Sequence, residues 1–382
     1  MRLAFQLAYK NLIGAGLRTW LNAMVLSIAF VIILFFNGLM DGWNDQARRD
    51  SIAWEYGFGQ FWHEDYDPAD PFTVQDGHGM RPADETLIPI LIQQGSIYPD
   101  GRLLSISLKG IAADQSILEL PTVKFTDSDA EIPVIIGKRM AKSANLEIGE
   151  QVLLRWRDQN GTYDAQQITV IDIFDTNVGM VDNGQLWLPI QKLWEMTGLK
   201  NHATMMIATK EQAMDIEGWI FNSQEELLIE LTKLIDMKKT SSSFLYVIML
   251  AIALLAIFDT QVLSIFRRQK EIGTYVSLGM TRWQVVGLFT LEGSMYSIFA
   301  MIVGCLYGIP LLAYLAFAGF GMPAAAENMG IAISDRIYPI YGVGLVLSTI
   351  MIVVISATIV SFLPARKIAN MNPIDAIKGK IQ

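Results

Sequence analysis

Four stretches of this 382-residue chain contain no Asp, Glu, Lys or Arg: Thr19–Met40, Thr240–Phe258, Gly293–Ala326 and Ile337–Ala365. They run for 22, 19, 34 and 29 residues. A helix needs about 20 apolar residues to cross the bilayer core, so each stretch is long enough to cross once. The third exceeds one span, and Pro310 together with the region Gly319–Pro323 is expected to end its helix, leaving an apolar segment at the outer surface. The composition agrees: only 18% of residues are charged and 52% are hydrophobic, where a soluble domain carries about a quarter charged. The first stretch follows Arg18 as a signal peptide would, yet it is longer than a signal core and Asn37-Gly38-Leu39-Met40-Asp41 offers no small-x-small site. It reads as an uncleaved anchor.

The basic residues set the orientation. Four spans put the N-terminus, the loop between the second and third spans and the C-terminus on one side. That side carries Arg2, Lys10, Arg18, Arg267, Arg268, Lys270, Arg282, Arg366, Lys367, Lys378 and Lys380 against only Glu271 and Asp375. The positive-inside rule makes it cytoplasmic. Residues 41–239 then lie outside, with 17 basic and 32 acidic residues, an acidic surface that does not suggest nucleic acid. The single cysteine, Cys305, falls in the third span, so the outer segment must fold on its own core without a disulfide.

The expected fold class is therefore an integral membrane α-helical protein, one span plus three, with a large α+β extracytoplasmic domain inserted between helices 1 and 2. Its parts are a cytoplasmic interfacial helix (1–18), span 1 (19–40), a periplasmic α+β domain with stalk (41–239) and span 2 (240–266). A cytoplasmic coupling loop (267–283), span 3 (284–318), an outer loop (319–337), span 4 (338–363) and a cytoplasmic tail (364–382) complete it. The interfacial helix rests on Leu3, Ala4, Leu7, Ala8, Leu12 and Ile13 at helical spacing with basic and polar residues between them. In the outer domain, Gln151–Arg157 and Gln167–Phe174 read as strands joined through Asn160-Gly161. Arg102–Leu108 and Ala203–Thr209 are further strands, Ile132–Leu146 a short helix, and 54–82 irregular. Residues 223–239 read as a helix capped by Ser223 that runs into span 2 as a stalk. Ser264–Leu278 is expected to be a short helix with Gly279 after its end, and Thr281 to cap span 3. Pro364 and Pro373 each sit where a first helical turn begins.

Catalytic constellations are absent. There is no G-x-x-x-x-G-K-[ST], no G-x-S-x-G and no H-E-x-x-H, and His63, His78 and His202 have no metal-like spacing. They read as ordinary loop or surface histidines, with no catalytic residue and no metal ligand assigned. Two ionisable groups fall at membrane depth, Asp259 and Glu292. Such groups face a bundle interior and often carry function; the two are at similar depth, and either share a proton or bond to neighbouring helices. Gly304-x-x-x-Gly308 would allow close helix approach.

The run Arg267-Arg268-Gln269-Lys270-Glu271-Ile272-Gly273-Thr274-Tyr275-Val276-Ser277-Leu278-Gly279-Met280-Thr281-Arg282 resembles the R-x-x-E-I-G-x-x-x-A-L-G-A-x-x signature of the MacB/LolC/FtsX-like permeases of type VII ABC transporters. Pro364-Ala365-Arg366-Lys367-Ile368-Ala369, with Pro373-Ile374-Asp375-Ala376-Ile377, is similar to that family's closing P-A-R-x-A-x-x-x-x-P-x-x-A-L. Asn11-Leu12 and Leu17-Arg18-Thr19 resemble its opening, and Gly137-Lys138-Arg139-Met140-Ala141 followed by Leu146-x-Ile148-Gly149-Glu150 resembles a passage of its outer domain. Gly59-Gln60-Phe61 and Tyr66 are similar to the LolC/LolE lipoprotein-releasing branch. Asp259 stands where the family often has Asn, and Ser277 where it has Ala.

The resemblance implies a permease subunit that is not itself an enzyme. It implies ATP and Mg on a separate cytoplasmic ABC ATPase and no cofactor in this chain. Arg267, Arg268, Lys270, Glu271, Ile272, Gly273, Leu278 and Gly279 are the expected ATPase-coupling residues. Further partners are a second permease copy or sister permease, a periplasmic lipoprotein carrier or membrane-fusion protein, and membrane lipid. The location is the bacterial cytoplasmic (inner) membrane, the function lipoprotein release or efflux, and the alternative an FtsX-like transmitter that regulates a periplasmic cell-wall hydrolase.

Overall fold

The computed structural model describes residues 17–82, 84, 86–210, 215–321 and 336–370. The predicted interfacial helix at 1–16 and the turn at Pro373 lie outside the described residues. Those described fall into two compact units. One gathers residues 17–43, 235–320 and 338–370, and the other residues 44–234 with 321, 336 and 337.

The first unit is helical. Among the described residues, four helices are long and apolar enough to cross a membrane. They are α1 (Leu17–Ser51), then, beyond the short helices α2 (Lys138–Ala144) and α3 (Ile190–Thr197) of the other unit, α4 (Ile229–Arg267), α6 (Arg282–Ala318) and α7 (Val343–Ala365). Leu26, Phe30, Leu34, Ile257, Met295, Ala300, Val353 and Ala357 form the common core. Glycine sets the closest approaches. A side chain at Gly304 would press on Phe30, and one at Gly308 would meet Val31 at 2.8 Å, so the Gly304/Gly308 pair seats α6 against α1. A second pair, Gly38 and Gly42, was not singled out from sequence. Gly38 lies under the Tyr341 ring and accepts a bond from the Ile340 amide (2.9 Å), and a Cβ at Gly42 would collide with the Tyr338 carbonyl.

Pro310 does not end its helix. It lies inside α6, which continues to Ala318 and stops at Gly319 with φ 73°. Proline is tolerated in such helices because neighbours and local adjustment absorb the one missing N–H. Pro364 likewise lies in the last turn of α7 rather than opening a new helix, and a 3-10 turn, Arg366–Asn370, follows it.

The second unit is β-rich, and the nine strands of its main sheet fall in chain order between α1 and α4. They are β1 (Gln60–His63), β2 (Leu87–Ile97), β3 (Leu104–Ile111), β4 (Pro133–Gly137), β5 (Gln151–Arg157), β6 (Tyr163–Phe174), β7 (Gln185–Pro189), β8 (Met205–Ala208) and β9 (Trp219–Asn222). The order across the sheet is β9-β1-β8-β2-β3-β7-β4-β6-β5, and β2 also pairs with β5. That last pairing closes β2, β3, β7, β4, β6 and β5 into a six-stranded barrel. Leu91, Ile106, Val134, Leu154, Ile168 and Leu188, one from each of its strands, meet in a single core with side chains of α2 (Lys138–Ala144) and α3 (Ile190–Thr197). The opposite faces of the same strands build a second core from Ile90, Ile111, Ile135 and Trp187, joined by Ile207 of β8.

The strands at Gln151–Arg157 and Gln167–Phe174 are as predicted, although the second starts at Tyr163. Ile132–Leu146 is not one helix. Val134-Ile135-Ile136 forms a strand buried on both faces, whose continuous apolar run carries no period-2 signal. The helix occupies only Lys138–Ala144. Gly137 marks the junction because a side chain there would enter the space of Asp182. Asp182, 1% exposed, accepts from the Arg139 amide (2.9 Å) and guanidinium (2.7 Å). This contact gives the Gly137-Lys138-Arg139 run its structural meaning. Nor is 54–82 irregular throughout: it contains β1, between β9 and β8, and a 3-10 turn at Pro71–Gln75 capped by Asp70. Ser223 caps Gln224–Leu227 through a capping box with Glu226.

The histidines, distant in sequence, gather in this unit. His78 Nδ1 is 3.0 Å from His202 Nδ1, and His63 Nε2 lies against Gly79. Burial and neighbouring histidines push both His78 and His202 below the ordinary histidine range. A histidine depressed in the folded state takes up its proton more readily once unfolded. Its stabilising share is therefore full above the usual pKa of about 6.5 and is lost as pH falls. Thermal unfolding is expected at lower temperature at pH 5.5 than at pH 7.5. His202→Asn should reduce that difference; an unchanged difference would exclude the pair as its source.

Candidate functional site

Both coupling and intramembrane candidates from the sequence fall in the helical unit, most of them where α4 turns into α6. Helix α4 ends at Arg267. Arg268, with φ −101° and ψ 21°, breaks the path, and a new helix, α5 (Gln269–Ser277), begins. The expected single helix over Ser264–Leu278 is thus two helices with a corner at Arg268. The turn back follows through Gly279 at φ 98°, where glycine bears the left-handed backbone without strain. Thr281 caps α6, exchanging bonds with Gln284 in a capping box.

Arg268 holds the corner. Its Nη1 donates to both carboxylate oxygens of Glu292 (3.0 and 2.9 Å), and its Nε donates to Glu271 (2.7 Å). The guanidinium lies 4.8 Å from the centre of the Phe289 ring. Glu292 is 5% exposed, so the first bond is a buried charge pair, whereas the Glu271 side chain is 54% exposed. Around the pair, Ile265, Ile272, Val285, Phe289, Ala365 and Ile368 form a small apolar core that binds α5 to α4, α6 and the end of α7.

This geometry divides the eight coupling candidates. Arg268, Ile272 and Gly273 point inward and fix the elbow. Arg267, Lys270, Glu271, Leu278 and Gly279 are exposed on it, with Leu278 78% exposed. Sequence reasoning missed Trp283, 62% exposed beside them. An isolated tryptophan at the start of a span carries no signal that separates a docking residue from a membrane-interface residue.

The two intramembrane carboxylates do not meet. Glu292 is taken by Arg268, an ion pair the sequence hid because its members are 24 positions apart. Asp259 lies on the exposed side of α4, along a stripe with Ile248, Ile252, Leu255 and Leu263. Polar groups that do face the interior include Asn22, which donates to Thr260 (2.6 Å), and Gln261, packed beside Gly293.

Residues 243–373, which hold the elbow and the last three spans, match the FtsX-like permease C-terminal family. The chain is 20% identical over 253 residues to the lipoprotein-releasing system transmembrane protein LolC of Neisseria meningitidis serogroup B, covering 58% of this chain and 60% of that protein. It is 32% identical over 156 residues to an uncharacterised ABC transporter permease of Methanocaldococcus jannaschii, covering 38% and 36%. The chain thus spans 60% and 36% of the lengths of these two relatives. Among solved structures, the extracellular domain of the noncanonic ABC-type transporter YknZ from Gram-positive bacteria aligns at a TM-score of 0.25 and 12% identity, over 41% of this chain and 84% of that one. The signature around Glu271 and the family match to the segment that holds it agree: the chain is a multi-pass membrane protein whose residues 243–373 match the FtsX-like permease C-terminal family and which is similar to ABC transporter permeases, LolC among them.

Proposed function

We propose that this chain is the permease subunit of an ABC transporter that passes the motion of a separate cytoplasmic ATPase to its β-rich domain, held on the periplasmic side of the inner membrane. There the domain acts on a lipoprotein or another hydrophobic substrate. The observation that carries this reading is the elbow: an exposed charged surface of Arg267, Lys270 and Glu271, braced from behind by the buried Arg268–Glu292 pair. A docking element must present charge and must not yield when pushed, and this one does both. Helix α4 runs unbroken from Ile229 to Arg267, so displacement at the elbow meets a stiff rod rather than a loop. ATP and Mg belong to the ATPase in this scheme.

Asp259 supports a second permease, identical or sister. An ionised carboxylate on an apolar helix face is costly in lipid, and a partner helix would cover the stripe. Lipoprotein release is favoured by the similarity to LolC, while the matched C-terminal segment is equally compatible with an FtsX-like transmitter acting on a cell-wall hydrolase.

The topology is tested by cysteine labelling in a Cys305→Ser background. A membrane-impermeant maleimide should modify Asn160→Cys in intact cells and leave Thr274→Cys untouched until the membrane is opened. The opposite pattern would overturn the orientation and the coupling scheme with it.

A further inference from the structure

The β-rich unit contains a cleft of about 1380 Å³ whose floor is one face of the central strands. Strict alternation in Leu104-Ser105-Ile106-Ser107-Leu108-Lys109 puts Ile106 and Leu108 in the barrel core and turns Ser105, Ser107 and Lys109 the other way. The neighbouring strands continue the polar row. Ser96 lies opposite Ser105, while Gln94 and Gln185 flank Ser107. Elsewhere this face of the sheet is apolar core, with Ile90, Ile111 and Trp187. Short hydroxyls and primary amides replace that core only where the cleft opens.

The walls are of another kind. Tyr56, Trp62 and Tyr66 stand along one side, Trp62 and Tyr66 packed edge to face. Phe72, Tyr163 and Met180 are at the mouth, 88%, 61% and 58% exposed. One amide atom of the floor, Gln185 Oε1, is buried without a hydrogen-bond partner among the described residues, an acceptor that a peptide N–H would satisfy. At the inner end lies Lys109, 7% exposed, its amine 5.0 Å from the Trp187 ring centre. Burial presses that amine below the usual lysine range, opposed by the nearby Glu55.

We propose that this cleft binds an extended polypeptide segment, laid along the serine and glutamine floor with its side chains against the aromatic walls. The repeat of the floor carries the argument. Same-face residues of a strand recur every two residues, about 6.7 Å, and adjacent strands lie about 4.8 Å apart. An extended peptide has the same two-residue repeat, so a chain running along β3 meets Ser105, Ser107 and Lys109 in step. Tyrosine and tryptophan beside serine and amide side chains are also the mixture by which antibody loops hold polypeptides: rigid rings for contact, small polar groups for adaptable bonding. A glycan offers hydroxyls all round and no such alternation. The inference needs only the β-rich unit and stands whether or not the elbow docks an ATPase.

The test uses the full chain in detergent without any ATPase. Fluorescein-labelled decapeptides of mixed apolar and serine sequence, each carrying a benzophenone, are titrated by anisotropy and then photolysed. Saturable binding is expected, with cross-links in the segments that hold Phe72, Tyr163 or Met180. Ser107→Trp, which fills the floor, should weaken binding about tenfold or more at an unchanged melting temperature. Should that variant fail to fold, the cross-link map decides, along with Gln185→Leu, which removes one floor acceptor and should weaken the same peptides. Absence of saturable binding, cross-links confined to other segments, or binding of chitohexaose in place of the peptides would overturn the proposal.

Discussion

Replacing Glu292 by leucine should destabilise the helical unit by about 3–5 kcal/mol, the usual result of removing one member of a buried ion pair. The reason is Arg268, whose side chain is only 17% exposed and would keep its charge with no carboxylate behind it. Its remaining partner, Glu271, is exposed in the first turn of α5, three residues on, where such a pair contributes about 0.3–0.5 kcal/mol. Glu271→Gln should therefore barely shift thermal unfolding in detergent, while Glu292→Leu shifts it strongly. The double variant Arg268→Leu with Glu292→Leu should recover most of the loss, because a well-packed apolar pair can replace a buried ionic one. Equal effects at Glu271 and Glu292, or a double variant no better than the single, would show that the pair does not brace the corner.

The second large effect concerns coupling rather than folding. Glu271→Lys places a second cation beside Arg268, but Arg268 retains both bonds to Glu292, so insertion and folding should survive. If Glu271 faces a basic group of the ATPase, a desolvated charge left unmatched costs roughly 2–5 kcal/mol, or about 30-fold to 4,000-fold in affinity. The variant is expected to reach the membrane in normal amount and to lose its ATPase on co-purification. Retention of the ATPase with normal turnover would remove Glu271 from the docking surface. Together the two experiments separate the back of the elbow from its front.

Membrane character was legible because a charge-free run of 20 residues has few other meanings, and family because Glu271-Ile272-Gly273 and Leu278-Gly279 sit in one short window. Local signals also located Thr281, Ser223 and Gly319 at helix ends, since caps depend on residues three or four apart. What failed was long-range or internally ambiguous. Arg268 and Glu292 are separated by a helix, a turn and the start of another helix, so no window contains both. Val134-Ile135-Ile136 is apolar on both faces, and an apolar run of that length fits strand and helix alike. Pro310 was read by the rule for water-soluble helices. The cleft floor was written openly in the alternation of Ser105, Ser107 and Lys109, but only the neighbouring strands show that this face lines a cavity rather than the outside of the molecule.

Strand β2 belongs to two constructions at once. Its first half, Leu87–Ile90, pairs with β8 and through it with β1 and β9; its second half, Gly95–Ile97, closes the barrel against β5. A barrel stave that continues out of the barrel ties the fate of the two parts together. The three-stranded wing cannot be cut away at a loop without exposing one edge of β2, and the barrel cannot open at the β2–β5 seam without loosening the wing. Hydrogen exchange should accordingly find one protected block from Leu87 to Ile97 rather than two, with amides on either side of Gly95 released in the same event. For a domain asked to bear force, such sharing means that a pull on the wing arrives at the barrel as tension along a single backbone.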